Sequence, residues 1–324
     1  MSGATTPSPT VRRAGKSRPW IFSFLGAGAV FLATIAFTGG TGAGQILSTA
    51  LTFATMYVIV GLGQMFVITT GPGNVDLSIP STIALAGAVS MTVMGGSEAM
   101  ILPGLLAALG VGVAVGCFNF ALIRLLQIPP IIATLSASFL IQSVAIAYGR
   151  GLRVRPPAAF GEFATGRVLG VPYLALATLA LCVLMGVLLH RTVYGRSISA
   201  IGQNPRAALL AGIPVERLRW VTYVLSAVLA GLCGAVLAGF SGGSSLNMGE
   251  EYLLASIAVV VVGGSSVSGG QSNVPGLWGA SIFLYLLVTM LNTFGVGAGL
   301  RLLLTGLIII AIITIAGGPK TGRN

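Results

Sequence analysis

Acidic side chains are almost missing from this sequence: six Asp and Glu in 324 residues, against 17 Lys and Arg, with charged residues making up only 7%. A single histidine, His190, excludes a multi-histidine metal centre, and its place before Arg191 at the end of an apolar run reads as interfacial. The three cysteines, Cys117, Cys182 and Cys233, each lie inside an apolar run without metal-like spacing, so they read as reduced core residues and not as a disulfide framework. No Ser/His/Asp set, HExxH pair or repeated selectivity-filter signature is present. The string AGKS at Ala14–Ser17 resembles the end of a phosphate-binding loop, but Thr10 stands where that loop needs glycine. Outside Asp76, no acid or base sits in the middle of an apolar run, which leaves little for a proton relay or a charged ion-coupling site. We expect no catalytic residue, no metal and no cofactor bound by this chain.

What remains is hydrophobic: 55% of residues, with a mean hydropathy of +0.98. Apolar runs cover residues 20–37, 45–69, 79–94, 100–126, 130–148, 172–190, 220–240, 252–262, 274–294 and 300–316. About 20 residues cross about 30 Å of hydrocarbon, so the expected fold is all-α, a polytopic integral membrane protein of about ten transmembrane helices with broken or re-entrant segments. The expected organisation is a disordered basic tail at 1–19, one transmembrane domain at 20–317 with a cytoplasmic loop at 191–219, and a short tail at 318–324. An even number of crossings puts both tails on one side. With that side cytoplasmic, twelve basic residues lie inside and five outside, as the positive-inside bias requires. The bias accounts for the +11 charge without nucleic acid as a partner. The external stretch 149–171 opposes it with four arginines and Glu162, and offers a surface for an external partner.

Two motifs interrupt the apolar runs. GPGNVDLSIPS, residues 71–81, carries glycines and prolines that break a continuous helix, and backbone freed at membrane depth must be buried in protein or meet a watery cavity. A carboxylate near the bilayer centre costs about 2.5–3.5 kcal/mol on insertion scales. Asp76 therefore either caps the helix beginning near Ser78 or lines a pathway with Asn74 and Ser78, and the two roles are compatible. The second break, GGSSVSGGQSNVPG at 263–276, has the same character without the acid. Glu250 and Glu251 precede an apolar run and read as first-turn acids favourable to a helix dipole. Gly112-x-x-x-Gly116 and Gly295-x-x-x-Gly299 read as helix-packing spacings.

A third stretch stands out by charge. GRSISAIGQNPRAALLAGIPVERLRW, Gly195–Trp220, is basic and helix-prone in a chain otherwise poor in charge. Asn204-Pro205 opens a turn, Arg206–Ala211 favours helix, and Gly212 followed by Pro214 ends it. Ala208, Leu209 and Leu210 form a face that can fill a partner's pocket. The alternative is an amphipathic helix lying on lipid headgroups.

These stretches resemble the permease subunits of bacterial ABC sugar importers of the ribose, arabinose and xylose class. GPGNVDLSIPSTIALAGA is similar to that family's GGIDLSVGS-type motif through Asp76, Leu77 and Ser78, and Ile128–Gly151 resembles its VPPFIATLGT segment. YGRSISAIGQNPRAALLAGIPVERLR resembles its cytoplasmic signature, and IAVVVVGGSSVSGG its IAAVVLGGTSLAGG run. GPGN in place of GGI, Pro80, and GQSNVPGLWG depart from the pattern. The resemblance implies a permease of the bacterial inner membrane that moves a small neutral solute, a monosaccharide such as a pentose, inward by alternating access. It implies two cytoplasmic ATPase subunits carrying ATP and magnesium, a periplasmic or lipid-anchored solute-binding protein, and a second permease copy or a paralogue, all among membrane lipids. It also implies that Asn204, Pro205, Arg206, Ala207, Ala208, Leu209, Leu210, Ala211 and Gly212 couple to the ATPase. The residues alone leave open a self-sufficient secondary transporter or channel and, more remotely, a membrane enzyme.

Overall fold

The computed structural model describes residues 20–151 and 154–316. The tails expected at 1–19 and 318–324, and Arg153 of the external stretch, lie outside them.

Thirteen α-helices follow one another among the described residues: α1 (Trp20–Phe37), α2 (Ala43–Thr69), α3 (Ile79–Met94), α4 (Ile101–Leu125), α5 (Pro130–Gly149), α6 (Ala158–Thr165), α7 (Tyr173–Arg191), α8 (Val193–Gln203), α9 (Pro205–Leu210), α10 (Val215–Phe240), α11 (Tyr252–Val262), α12 (Val274–Thr293) and α13 (Ala298–Ala316). The all-α polytopic architecture is present, and each of the ten apolar runs is a helix. Seven of these helices, α1, α2, α4, α5, α7, α10 and α12, are long and apolar enough to cross a membrane. Shorter apolar helices accompany them: the 16 residues of α3 rise about 24 Å, and the 11 residues of α11 only about 17 Å. Helix α11 must share its crossing with the irregular chain on either side of it.

Helices α2 and α10 form the centre, and α2 is buried on nearly every side from Ala54 to Thr69. Protein surrounds α2, while α1, α4, α5 and α7 turn large apolar residues outward, as lipid-facing helices do. The α4–α10 seam needs its glycines. A Cβ at Gly112 would stand 2.5 Å from the Val228 Cα, and one at Gly116 2.4 Å from the Val224 Cα. At Gly295 and Gly299 an added Cβ would meet nothing within 4 Å among the described residues, so that spacing packs no helix of this chain there.

The supposed loops are also structured. Residues 154–172, expected outside, form α6 and a two-stranded antiparallel turn, β1 (Arg167–Val168) with β2 (Val171–Pro172). The stretch at 191–219 is helical almost throughout. Helix α10 begins at Val215, not at the apolar boundary near Trp220, because Pro214 precedes it and Glu216 occupies its first turn. Glu216 also accepts ion pairs from Arg124 at 3.5 Å and Arg219 at 3.7 Å, which puts the end of α4 and the start of α10 at the same end of the bundle.

Candidate functional site

The break between α2 and α3 folds back into the bundle and buries Asn74, Asp76 and Ser78 within the chain. Asp76 meets only neutral donors. Its Oδ1 accepts the Ser78 backbone N–H at 3.0 Å, the Ser78 hydroxyl at 2.6 Å and the Asn119 amide at 3.4 Å, while its Oδ2 accepts the Ser226 hydroxyl at 2.9 Å. Its own N–H donates to the Gln64 Oε1 at 3.2 Å. Ser78 is the N-cap of α3 and makes no side-chain cap bond; Asp76, two residues earlier, accepts the N–H of Ser78 itself and none from inside the helix among the hydrogen bonds of the described residues.

Asn74 holds the other end of the break: its amide donates to the Gly71 carbonyl at 3.2 Å and its Oδ1 accepts the Tyr223 hydroxyl at 3.4 Å. Thr134 at the start of α5 accepts the Leu77 N–H at 3.1 Å. Gln64, Asn119, Thr134 and Ser226 escaped the sequence reading. The available signal was an amide or hydroxyl inside each of four apolar runs, of which only Asn119 stands alone in its run.

The second break, between α11 and α12, docks onto the first. Gly270 donates its N–H to the Thr69 carbonyl at 3.0 Å, and the Thr69 and Ser272 hydroxyls bond to each other. Asn273 caps α12 by accepting the Gly276 N–H at 3.3 Å. Helix α8 ends on the same spot. A Cβ at Gly202 would stand 2.0 Å from the Thr69 oxygen and 2.3 Å from the Gly270 nitrogen, so only glycine admits this three-way contact. Beside it opens a polar-lined cleft of about 380 Å³ that includes Ser199, Gln271 and Ser272.

Helix α8 is also tied sideways, with the Tyr194 hydroxyl 2.8 Å from that of Thr222 on α10. Burial pushes the Tyr194 phenol up to about 12, against the opposing effect of that bond. Asn204 then caps α9 by accepting the Ala207 N–H at 3.0 Å, and Pro205 takes the first helical position. Gly212, at a φ of 80°, closes the helix end in the left-handed region.

One part of the expected face is corrected. Ala208 is buried at 4% exposure among Ile201, Ile213, Val215 and Leu218, because α9 must pack on something of its own chain to keep its position. Leu209 and Leu210 are 62% and 90% exposed, so the outward face is these two leucines alone. They stand beside a cleft of about 500 Å³ lined by Arg206, Leu209, Glu216, Arg217 and Arg219.

With this geometry in view, comparison with known proteins is informative. Residues 46–313 match the family described as branched-chain amino acid transport system / permease component. The ribose import permease protein of Bacillus subtilis is 33% identical over 261 residues, covering 79% of this chain and 80% of that protein. The fructose import permease protein of Bifidobacterium longum is 29% identical over 289 residues, 87% of this chain and 80% of that one. The L-arabinose ABC transporter permease protein of Azospirillum brasilense is 32% identical over 226 residues, 69% and 65%. No solved structure matches. The match across most of the chain, in a bundle with seven membrane-length helices, makes this protein a member of the branched-chain amino acid and sugar ABC permease family, a multi-pass, non-catalytic permease subunit.

Proposed function

We propose that this permease moves a neutral monosaccharide, a pentose among the sugars its relatives carry, into the cytoplasm, driven by separate ATPase subunits that dock on α8 and α9. ATP and magnesium belong to those subunits, and a solute-binding protein delivers the sugar from outside to a pair of permeases. Ribose and L-arabinose, named for two relatives, are pentoses, and both present hydroxyls all round to a path that need bind only weakly. Both tails are cytoplasmic in this reading. Its support is the gathering of Arg124, Arg191, Arg196, Arg206, Arg217 and Arg219 at or beside the docking end.

The observation that carries the proposal is the mounting of α9. A six-residue helix is too short to hold its shape alone, yet this one is capped at both ends and keyed through Ala208, and it exposes a pair of leucines outward. A helix so fixed transmits force. Asn74, Asp76 and Ser78 would brace the broken helix beside the pathway.

Leu210→Glu tests the docking. The side chain is nearly free in the isolated chain, so the variant inserts normally, but a charge placed in the ATPase contact weakens that contact about tenfold or more. Co-purification of the ATPase and sugar uptake fall together. Retention of both at unmodified levels would overturn the assignment, and uptake that needs no ATPase but collapses with an ion-gradient uncoupler would favour a secondary transporter.

A further inference from the structure

Glu250 and Glu251 occupy a place that their sequence reading as first-turn acids does not explain. The chain leaves the outer end of α10 and descends into the bundle before α11 starts. A Cβ at Gly249 would stand 2.1 Å from the Pro80 carbonyl oxygen, one at Gly87 2.1 Å from the Met248 Cε, and the Gln142 amide donates to the Leu246 carbonyl at 3.1 Å. Pro80 belongs to the first turn of α3, about 21 Å of helix below Met94 at its outer end. Tyr252 packs against Tyr57 with ring centres 5.4 Å apart and the rings tilted by 58°, and Tyr57 lies about 18 Å along α2 from Thr69 at the docking end. Both routes put the two carboxylates well inside the thickness of the bilayer.

Both are nevertheless exposed on the surface of the single chain. Among the described residues no cation lies within 4.0 Å of either, since the ion pairs found there join only Arg124 and Arg219 to Glu216. Exposed charges at this depth cannot face lipid. Tyr57 packs against Tyr252, the residue after Glu251, and one turn back on α2 Phe53 stacks on Tyr285 at 5.0 Å, so acids and aromatic rings share one wall. That combination suits a sugar, whose hydroxyls donate to carboxylates while its C–H faces lie on rings.

We propose that Glu250 and Glu251, with Tyr57 and Tyr285 behind them, line the water-filled path by which the sugar crosses; the inference rests on the importer reading above. Glu250→Cys and Glu251→Cys, each read separately, report water access through reaction with a small membrane-impermeant thiol reagent. The unmodified chain, with its three native cysteines, sets the background, and Leu184→Cys on the outward face of α7 is the lipid-facing control. Labelling of either glutamate position about tenfold faster than both references supports the path, and labelling no faster than Leu184→Cys at both overturns it. This readout needs neither ATPase nor binding protein, so it stands or falls separately from the docking assignment. In uptake assays with ribose, arabinose and fructose, Glu251→Gln keeps at least about half the unmodified rate because an amide still bonds hydroxyls, whereas the double variant Glu250→Leu/Glu251→Leu loses about tenfold. A double leucine variant that inserts and transports at the unmodified rate would remove these residues from the path.

Discussion

At the scale of single residues, the determining feature is a buried acid held without a cation. Asp76 is tolerable because four donors reach it, and each donor in turn is buried for its sake. Asp76→Asn should therefore fold and transport, since the Asn Oδ1 replaces the acceptor for Ser78 and the Ser226 hydroxyl can turn to accept from the new amide. Asp76→Leu strands the Ser78 N–H and the Ser226 hydroxyl at about 1–3 kcal/mol each, and should be lost from the membrane or aggregate on detergent extraction. Size-exclusion profiles of the two variants decide it, and a monodisperse, active Leu variant would show the cluster to be dispensable. The acid itself was evident in the sequence from its rarity. Its partners were not, because Gln64, Asn119 and Ser226 are brought to it only by the packing of α2, α4 and α10.

Among elements, the contact of α8 with the two breaks is the joint between the docking insert and the transmembrane body. Gly202→Ala places a methyl group against the Thr69 oxygen and forces out the Gly270 N–H. With α9 still capped by Asn204 and keyed by Ala208, the ATPase should bind at the normal ratio while sugar transported per ATP hydrolysed falls about fivefold or more. An unchanged ratio would mean that force travels by another route. Periodicity and length located the long helices closely, and Trp20–Phe37, Ile79–Met94 and Tyr252–Val262 match their apolar runs to the residue. They failed where helix and hydrocarbon part company. The first turns of α10 are polar helix outside the membrane, and α11 is apolar helix too short to cross it.

For the whole molecule, the proposed orientation rests on charge and on the shared end of α4, α8, α9 and α10. Reporter fusions check it: a reporter active only outside should work after Gly96, and one active only inside after Gln127, with the reverse result inverting the topology. The sequence pattern was enough for the class of bundle, whereas the dip of residues 241–251 was unreadable because nothing local distinguishes it from an external loop. The long reach of the Asp76 cluster has a further consequence, in the timing of synthesis. Ser226 lies 150 residues after its acceptor and Asn119 lies 43. At about 5–20 residues per second, the carboxylate waits about 8–30 s at the ribosome for its last donor. Until α10 arrives, the first helix pair and its break are unfit for lipid, and the nascent chain must be sheltered by the insertion machinery through most of its own translation.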